Sequence, residues 1–426
     1  MTQKHILSTF MTGLLLGSCL LLAAPARAEN SCLVILTSFS ESPIKALVDD
    51  YHRQPGSCPV RVIYRRTLPA LRLLSQGGRA PIDVVISSSP TFFHALERMD
   101  LLAPRVHSTP PPDWLSPHAL VLSDKATPVG YSGIGIIYNR DYLKRAHLKV
   151  PRTWQALAEP EYRGHLMMSS PSQSGTTHMM VESILQQLGW QQGWALLMKI
   201  GSNLASVSAR SFGVSEGVAR GLVGAGPVID NYALTSKARF SYVDFHYLPD
   251  TVILPTYYAV MKASPHQKMA TTFLDYLLSP RGQHIISKTS TAKTPLDSPT
   301  LAKGTRFVTD KPQLYGRNQV LKVLFDQVIT HQLPRLRQTW QGIYLAQREM
   351  KQTTANQAKL AEAIRLASTV PLTEAQALSP ELAHVFEEMG QRSDNPESER
   401  LTQAWRAQIA SQLEQALTLL QTLEYP

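Results

Sequence analysis

Three short apolar runs, Leu33–Thr37, Val60–Tyr64 and Ile82–Ile86, alternate with the amphipathic stretches Ser42–His52, Pro69–Gln76 and Thr91–Met99. Strands of unbroken Val, Ile and Leu, each followed by a helix, belong in a parallel sheet buried on both faces. The alternation resumes with a strand near Leu166, helices Thr176–Leu188, Gln191–Lys199 and Ser215–Gly221, and a strand at Gly226–Ile229. Between the two sets, Gly130–Asn139 reads as one glycine-punctuated strand. Val252–Met261 is a further strand, and the helix His266–Leu278 after it stops at Ser279-Pro280. This late pair reads as a return to the first unit. Beyond Thr305 the strand patterns vanish, and Leu401, Trp405, Ile409, Leu413 and Leu417 recur at helical spacing. Ser379-Pro380-Glu381 and Asn395-Pro396-Glu397 are helix starts, each with a capping side chain, a first-turn proline and an acid. The expected class is α/β with two units. The first is 29–130 with 252–304, the second 131–251, and 305–426 is a helical extension expected to pack on one of them. A chain of 426 residues is too long for one core, which agrees with that division.

The segment 1–28 reads as a secretory signal: Lys4 and His5, then apolar Leu14–Ala24, then the small-x-small site Ala26-Arg27-Ala28. A competing reading places a lipoprotein processing site at Leu16–Cys19, but the apolar run continues past Cys19 into the conventional cleavage site. Either way the protein is expected to leave the cytoplasm, with the periplasm as its location. Processing removes Cys19 and leaves Cys32 and Cys58, an even pair in an oxidising compartment. Each stands just ahead of a β-like run, so neighbouring parallel strands would bring them within bridging distance. A disulfide is expected.

Loss of the leader, which holds Lys4, Arg27 and no acid, lowers the formal charge from +10 to +8. The basic residues are scattered, with no run beyond Arg65-Arg66, so a nucleic-acid partner is not expected. At 43% apolar and 17% charged residues, and with no internal apolar run of membrane-spanning length, the chain is neither wholly disordered nor multi-pass.

Polar clusters follow the strands: Thr37-Ser38-Phe39-Ser40, Ser87-Ser88-Ser89-Pro90, and Ser169–Thr177 with Gly175 inside it. Open α/β sheets bind ligands beyond the carboxyl ends of their strands, where helix N-termini offer free N–H groups to anions. Serine capping alone accounts for such clusters one at a time. Three of them, at the same end of successive elements, point to an anion site. Arg210, in Ser208–Gly213 before another helix, is a candidate counter-charge, since a guanidinium suits phosphate or carboxylate. Single histidines such as His94 and His178 are usually structural.

Enzyme motifs fail on inspection. Gly130-Tyr131-Ser132-Gly133 has Ile134 where a nucleophile elbow needs glycine, and Ser42–Lys45 and Ser393–Asn395 match β-lactamase motifs without the third. No zinc-protease, phosphate-loop or Cys/His metal pattern is present in the sequence, so no catalytic set, metal or cofactor is proposed.

Pro151–Trp154, Pro160–Gly164, Ser174–Thr177 and Phe273–Gln283 resemble the periplasmic solute-binding proteins, in the two-lobed class of ferric and sugar-phosphate binders. The likeness covers roughly residues 31–300. The strings at 167–190, 209–222 and 226–233 resemble the branch concerned with phosphoglycerate transport. The resemblance implies two lobes closing on a ligand, with Ser38, Ser88, Ser89, Ser132, Ser174, Gly175, Thr176, Thr177, Arg210, Ser211, Asp230 and Asn231 in the cleft. Asp230 would suit a ligand hydroxyl. Ferric members use two adjacent tyrosines where this chain has Asn231-Tyr232-Ala233, and one phenolate is too few for Fe(III). The implied ligand is a small phosphorylated organic acid or sugar. The implied partner is a membrane sensor kinase, or alternatively the permease of an ATP-driven (ABC) importer. An extracellular hydrolase is the third reading.

Overall fold

The computed structural model describes residues 32–426 apart from 77–81, 106–110, 122–123, 289–292 and 392–394. The leader with its Cys19, and Ser393 and Asp394, therefore lie outside the described residues.

The first lobe is built from β1 (Leu33–Thr37), α1 (Glu41–Tyr51), β2 (Val60–Tyr64), α2 (Thr67–Ser75), β3 (Val84–Ser87), α3 (Pro90–Arg98) and β4 (Thr127–Ser132). The second holds β5 (Ile134–Asn139), α4 (Arg140–Arg145), α5 (Trp154–Leu157), β6 (Leu166–Ser169), α6 (Gly175–Leu188), α7 (Trp190–Asn203), β7 (Leu204–Ser208), α8 (Ser211–Ala219), β8 (Ala225–Ile229), α9 (Asp230–Arg239) and β9 (Val243–Tyr247). The chain then returns to the first lobe through β10 (Leu254–Val260), α10 (Gln267–Leu278) and α11 (Pro280–Ser287). The sheets run β2-β1-β3-β10-β4 and β7-β6-β8-β5-β9. β1, β2 and β3 are mutually parallel, as are β6, β7 and β8, while β10 and β5 run antiparallel to their neighbours.

The stretch Gly130–Asn139 is two strands in two sheets, not one. β4 keeps its pairing with β10 through Ser132, so the first sheet extends two residues past 130, and the chain crosses at Gly133. A side chain at Gly133 would put its Cβ 2.4 Å from Leu301 Cδ2. The return crossing lies alongside: the Thr251 hydroxyl donates to the Ile134 carbonyl at 2.7 Å and accepts from the Ile134 N–H at 2.8 Å.

Cys32 and Cys58 form a disulfide, with Leu33 in register with Val60 on the paired parallel strands. The bridge spans 26 residues of sequence. Replacing both cysteines by serine is expected to lower the unfolding free energy by about 3 kcal/mol through freed denatured-chain entropy. Chemical denaturation of the two proteins measures this, and an unchanged midpoint counts against it.

The extension comprises α12 (Lys311–Gly316), α13 (Asn318–Val328), α14 (Leu333–Glu349), α15 (Thr354–Leu366), α16 (Glu374–Ala377), α17 (Pro380–Gln391) and α18 (Pro396–Gln421). Asn395 Oδ1 caps α18 by accepting from the N–H groups of Glu397 and Ser398, and Ser379 Oγ accepts from Leu382 N–H at the start of α17. On α18 the buried stripe is Trp405, Ile409, Leu413, Ala416 and Leu420; over 26 residues the 3.6-residue period carries it off Leu417.

These helices share one apolar core with the second lobe, in which Trp194 and Met198 of α7 pack with Leu336 and Trp340 of α14. Arg317, itself fully buried, pairs with buried Glu182 of α6 at 2.7 Å and with Glu374 at 2.5 Å. The extension also reaches the first lobe. The Tyr315 hydroxyl donates to the Leu120 carbonyl, its ring lies 4.3 Å from His94, and α17 packs on α2.

Candidate functional site

Six parallel strands, three from each lobe, end at one interlobe pocket of ≈ 480 Å³, measured out to its open mouth. Ser38 and Phe39 follow β1, Arg66 and Thr67 follow β2, and Ser87, Ser88 and Ser89 end β3 and follow it. From the second lobe come Gln173–Thr176 after β6, Arg210 and Ser211 after β7, and Ile229 and Tyr232 at the end of β8. The strand ends determine this wall, because each parallel strand delivers its next residues to the same edge of its sheet.

Each of the six strands leads into a helix, so six helix N-termini surround the pocket. The N-cap residues are Ser40, Arg66, Ser89, Ser174, Arg210 and Ile229. Only Ser174 caps with its side chain, its hydroxyl accepting from Thr177 N–H at 3.3 Å. At the other five no side chain caps the helix. In α9 the Asp230 N–H is taken by the Gly133 carbonyl, so it is the starts of α1, α2, α3 and α8 that can offer first-turn N–H groups to an acceptor in the pocket. Serine capping therefore does not explain Ser40 or Ser89.

The hydroxyls are ordered by one another. Ser38 Oγ lies 2.7 Å from Ser87 Oγ, Ser88 Oγ 2.9 Å from Thr256 Oγ1, and Ser174 Oγ 3.3 Å from Ser211 Oγ. The lobes meet directly. Ser40 N–H donates to the Tyr232 phenol oxygen at 3.2 Å, and a Cβ on Gly175 would fall 2.5 Å from Ser89 Cβ. Burial pushes Tyr232 ionisation above the usual tyrosine range, so it remains a neutral phenol with a proton to donate.

The formal charges in the wall are Arg66 and Arg210, and among the described residues no carboxylate lines it. Burial lowers the Arg210 pKa, and the nearby Arg66 lowers it further, against an opposing effect of Tyr232. The Arg210 guanidinium stands 5.7 Å from the Phe212 ring. The pocket wall thus combines two cations, hydroxyl donors and helix starts without side-chain caps, groups suited to holding an anion.

Of the residues expected from the sequence, Ser38, Ser88, Ser89, Ser174, Gly175, Thr176, Arg210 and Ser211 come together here. Four do not line the pocket. Thr177 is fully buried, with its hydroxyl against Ser169 Oγ. Ser132 is buried at the lobe crossing, where its hydroxyl accepts from Lys293 Nζ at 3.1 Å. Asp230 is buried at the lobe crossing. Its carboxylate accepts from Gly133 N–H at 2.7 Å and from the Tyr247 hydroxyl at 3.2 Å, while its own N–H donates to the Gly133 carbonyl. Burial raises its pKa to about 6, against the Gly133 and Lys293 contacts. Asn231 is buried next to it on α9.

Phe39, Arg66, Thr67, Ser87, Gln173, Ile229 and Tyr232 also line the wall and were not among the expected cleft residues. The signal for Arg66 was available: it follows β2 as the serine clusters follow β1 and β3. The Ser42–Lys45 motif is a chance match, with Lys45 on the surface pairing Asp49 at 2.6 Å. Among the described residues, no group of three or more His, Cys, Asp or Glu could hold a metal, and no helix is long and apolar enough to cross a membrane.

Residues 80–311, more than half the chain, match the family model of the bacterial extracellular solute-binding proteins. The chain belongs to that family. Its relatives include the phosphoglycerate transport regulatory protein PgtC of Salmonella typhimurium, 36% identical over 346 residues, which are 79% of this chain and 84% of the relative. Among solved structures, the periplasmic binding protein AfuA from Actinobacillus pleuropneumoniae, with fructose-6-phosphate bound, superposes with a TM-score of 0.59 at 17% identity. That match covers 72% of this chain and 97% of AfuA. Iron-bound HitA from Pseudomonas aeruginosa gives a TM-score of 0.52 at 18% identity, over 65% of this chain and 88% of HitA. These two matches establish the two-lobed fold of the solute-binding proteins, and both leave about 30% of this chain uncovered.

Proposed function

We propose that the protein binds a small phosphorylated metabolite of the phosphoglycerate kind in the periplasm, reached through the leader at 1–28, and that a membrane sensor controlling its transport reads the closed form. The observation that carries this is the pocket wall: two arginines, a set of hydroxyls and four helix N-termini that no side chain caps, without a carboxylate. Such a wall favours a dianionic group over a neutral sugar or a metal cation. Kinship with PgtC, whose name assigns it to regulation of phosphoglycerate transport, supports the ligand class, and so does fold likeness to AfuA with its bound sugar phosphate.

Ferric iron is the weaker ligand. Tyr232 is the tyrosine of the pocket wall; the Tyr257 phenol oxygen accepts from Leu120 N–H and Val121 N–H, and Tyr258 donates to the Ala270 carbonyl. Hard Fe(III) needs more oxygen anions than that. On this reading the protein binds and does not react, so a bound phosphoester is expected to be released intact.

A thermal-shift panel of phosphoglycerates, phosphoenolpyruvate, hexose phosphates, plain dicarboxylates and ferric citrate tests the reading. A true ligand at 100 times its Kd adds about 2.7 kcal/mol of stability. A shift with ferric citrate alone, or with no phosphoester, would overturn it. Supply to an ATP-driven importer is the second reading of the partner, and retention on a permease rather than on the periplasmic part of a sensor kinase would favour it.

A further inference from the structure

Beside the main pocket, a second cavity opens along the same interlobe seam and shares Thr67 and Gly175 with it. Three parts of the molecule wall it: Leu68, Thr91 and Phe92 from the first lobe, Pro171 and Ser172 from the second, and Gln319, Lys322 and Val323 from the extension. The Lys322 ammonium donates to Asn318 Oδ1 at 2.5 Å and to Thr91 Oγ1 at 3.4 Å, both neutral acceptors. Asp326, one turn further along α13, is engaged elsewhere, accepting from the hydroxyls of Ser170, Ser172 and Thr330 at 2.8, 2.6 and 2.7 Å. Arg317, the fully buried cation of the extension, is neutralised by Glu182 and Glu374. Lys322 is not: burial alone, with no opposing carboxylate, pushes its pKa down to about 7. The same positive field, from Lys322 and Arg317, adds to burial in keeping His178 neutral.

A chain of hydroxyls links this lysine to the main pocket. Thr91 Oγ1 lies 3.4 Å from Ser89 Oγ, and Ser89 is the residue that meets Gly175 across the lobes. Thr91 also belongs to the first turn of α3, whose N-cap Ser89 makes no side-chain capping bond.

We propose that the C-terminal extension completes the ligand site, Lys322 and Thr91 forming a second anion subsite, and that the ligand therefore carries two anionic groups: a phosphate for the main pocket and a carboxylate or second phosphate for Lys322. The proposal rests on the phosphorylated-ligand reading and narrows it. A half-buried cation with only neutral acceptors costs stability unless an anion joins it, and one ligand bridging both subsites would tie all three parts of the molecule in the closed state. The two lobes alone would lack this lysine, which stands on α13 of the extension.

Titration calorimetry with 3-phosphoglycerate and glycerol 3-phosphate, which lacks the carboxylate, tests it on the purified protein. The expected result is a Kd for 3-phosphoglycerate at least tenfold lower. Lys322→Met should bring the ratio of the two Kd values close to one. It removes a half-buried ammonium, so its melting temperature should equal or exceed that of the native protein. Thr91→Val, which approaches the subsite from the other lobe, should also reduce the ratio. A Lys322→Met protein that keeps the native ratio overturns the subsite and leaves the main-pocket reading standing. Failure of the native protein to bind either probe overturns both.

Discussion

Alanine at Arg210 is expected to weaken binding of a phosphorylated ligand by on the order of 100-fold, the equivalent of about 3 kcal/mol. Arg210 stands at the N-terminus of α8, where the β7–α8 turn aims it into the pocket beside Arg66. No carboxylate figures among the charges acting on it, so its hydrogen-bonding capacity is not spent inside the protein. A phosphate entering the wall gains a charge-assisted contact that a methyl group cannot replace. The ligand-free protein should not suffer, because the substitution removes a partly desolvated cation and its repulsion with Arg66. Calorimetry on the variant measures the loss, and melting in the absence of ligand checks the fold. A Kd within threefold of the native value would show that the phosphate sits elsewhere in the molecule.

Valine at Gly175 is expected to reduce affinity at least tenfold by a different route. The Cβ position there lies 2.5 Å from Ser89 Cβ and 2.6 Å from Ser89 Oγ, distances that heavy atoms do not share. A Cβ has no rotamer with which to escape, and the opposing atoms belong to the other lobe. The lobes can relieve the clash only by standing apart, which removes the Ser40–Tyr232 contact and breaks the ring of helix ends around the ligand. Within its own lobe the substitution is mild, since residue 175 is the first of α6 and glycine is a poor helix former. Small-angle scattering should show the variant staying extended at ligand concentrations that compact the native protein. Normal compaction with normal affinity would mean that the Gly175–Ser89 approach is not required for closure.

Much of this architecture was legible because buried parallel strands carry a strong pattern. Leu33–Thr37, Val60–Tyr64 and Val84–Ser87 are runs with little interruption, and the serine clusters after two of them mark the pocket. The two strands that escaped notice, β7 and β9, lie at the edges of the second sheet. An edge strand with one exposed face alternates or is polar, as in Leu-Ala-Ser-Val-Ser and Val-Asp-Phe-His-Tyr, so a search for unbroken apolar runs passes over it. The division at Gly133 was hidden for another reason. Two strands joined by a single residue look like one until pairing assigns them to different sheets, and glycine by itself does not distinguish a bulge from a crossing. The family resemblance implied a cleft position for Asp230; its carboxylate accepts from Gly133 N–H, a contact made across 97 residues. Lys322 gave no sequence signal. It stands between Leu321 and Val323 on an amphipathic helix, and only the packing of that helix against both lobes sets it at the seam.

The shared interior of the second lobe and the extension has a mechanical consequence. Trp194 and Trp340 lie in one continuous core, and Arg317 is locked to Glu182, so the seven helices have no slack against that lobe and turn with it as one arm. An arm fixed to one side of a pivot sweeps its far end through a longer arc than the jaws themselves travel. On the opposite side α17 rests on α2 of the first lobe. A sensor touching the outer helices would feel capture of a single small molecule as a displacement larger than the gap that the molecule fills.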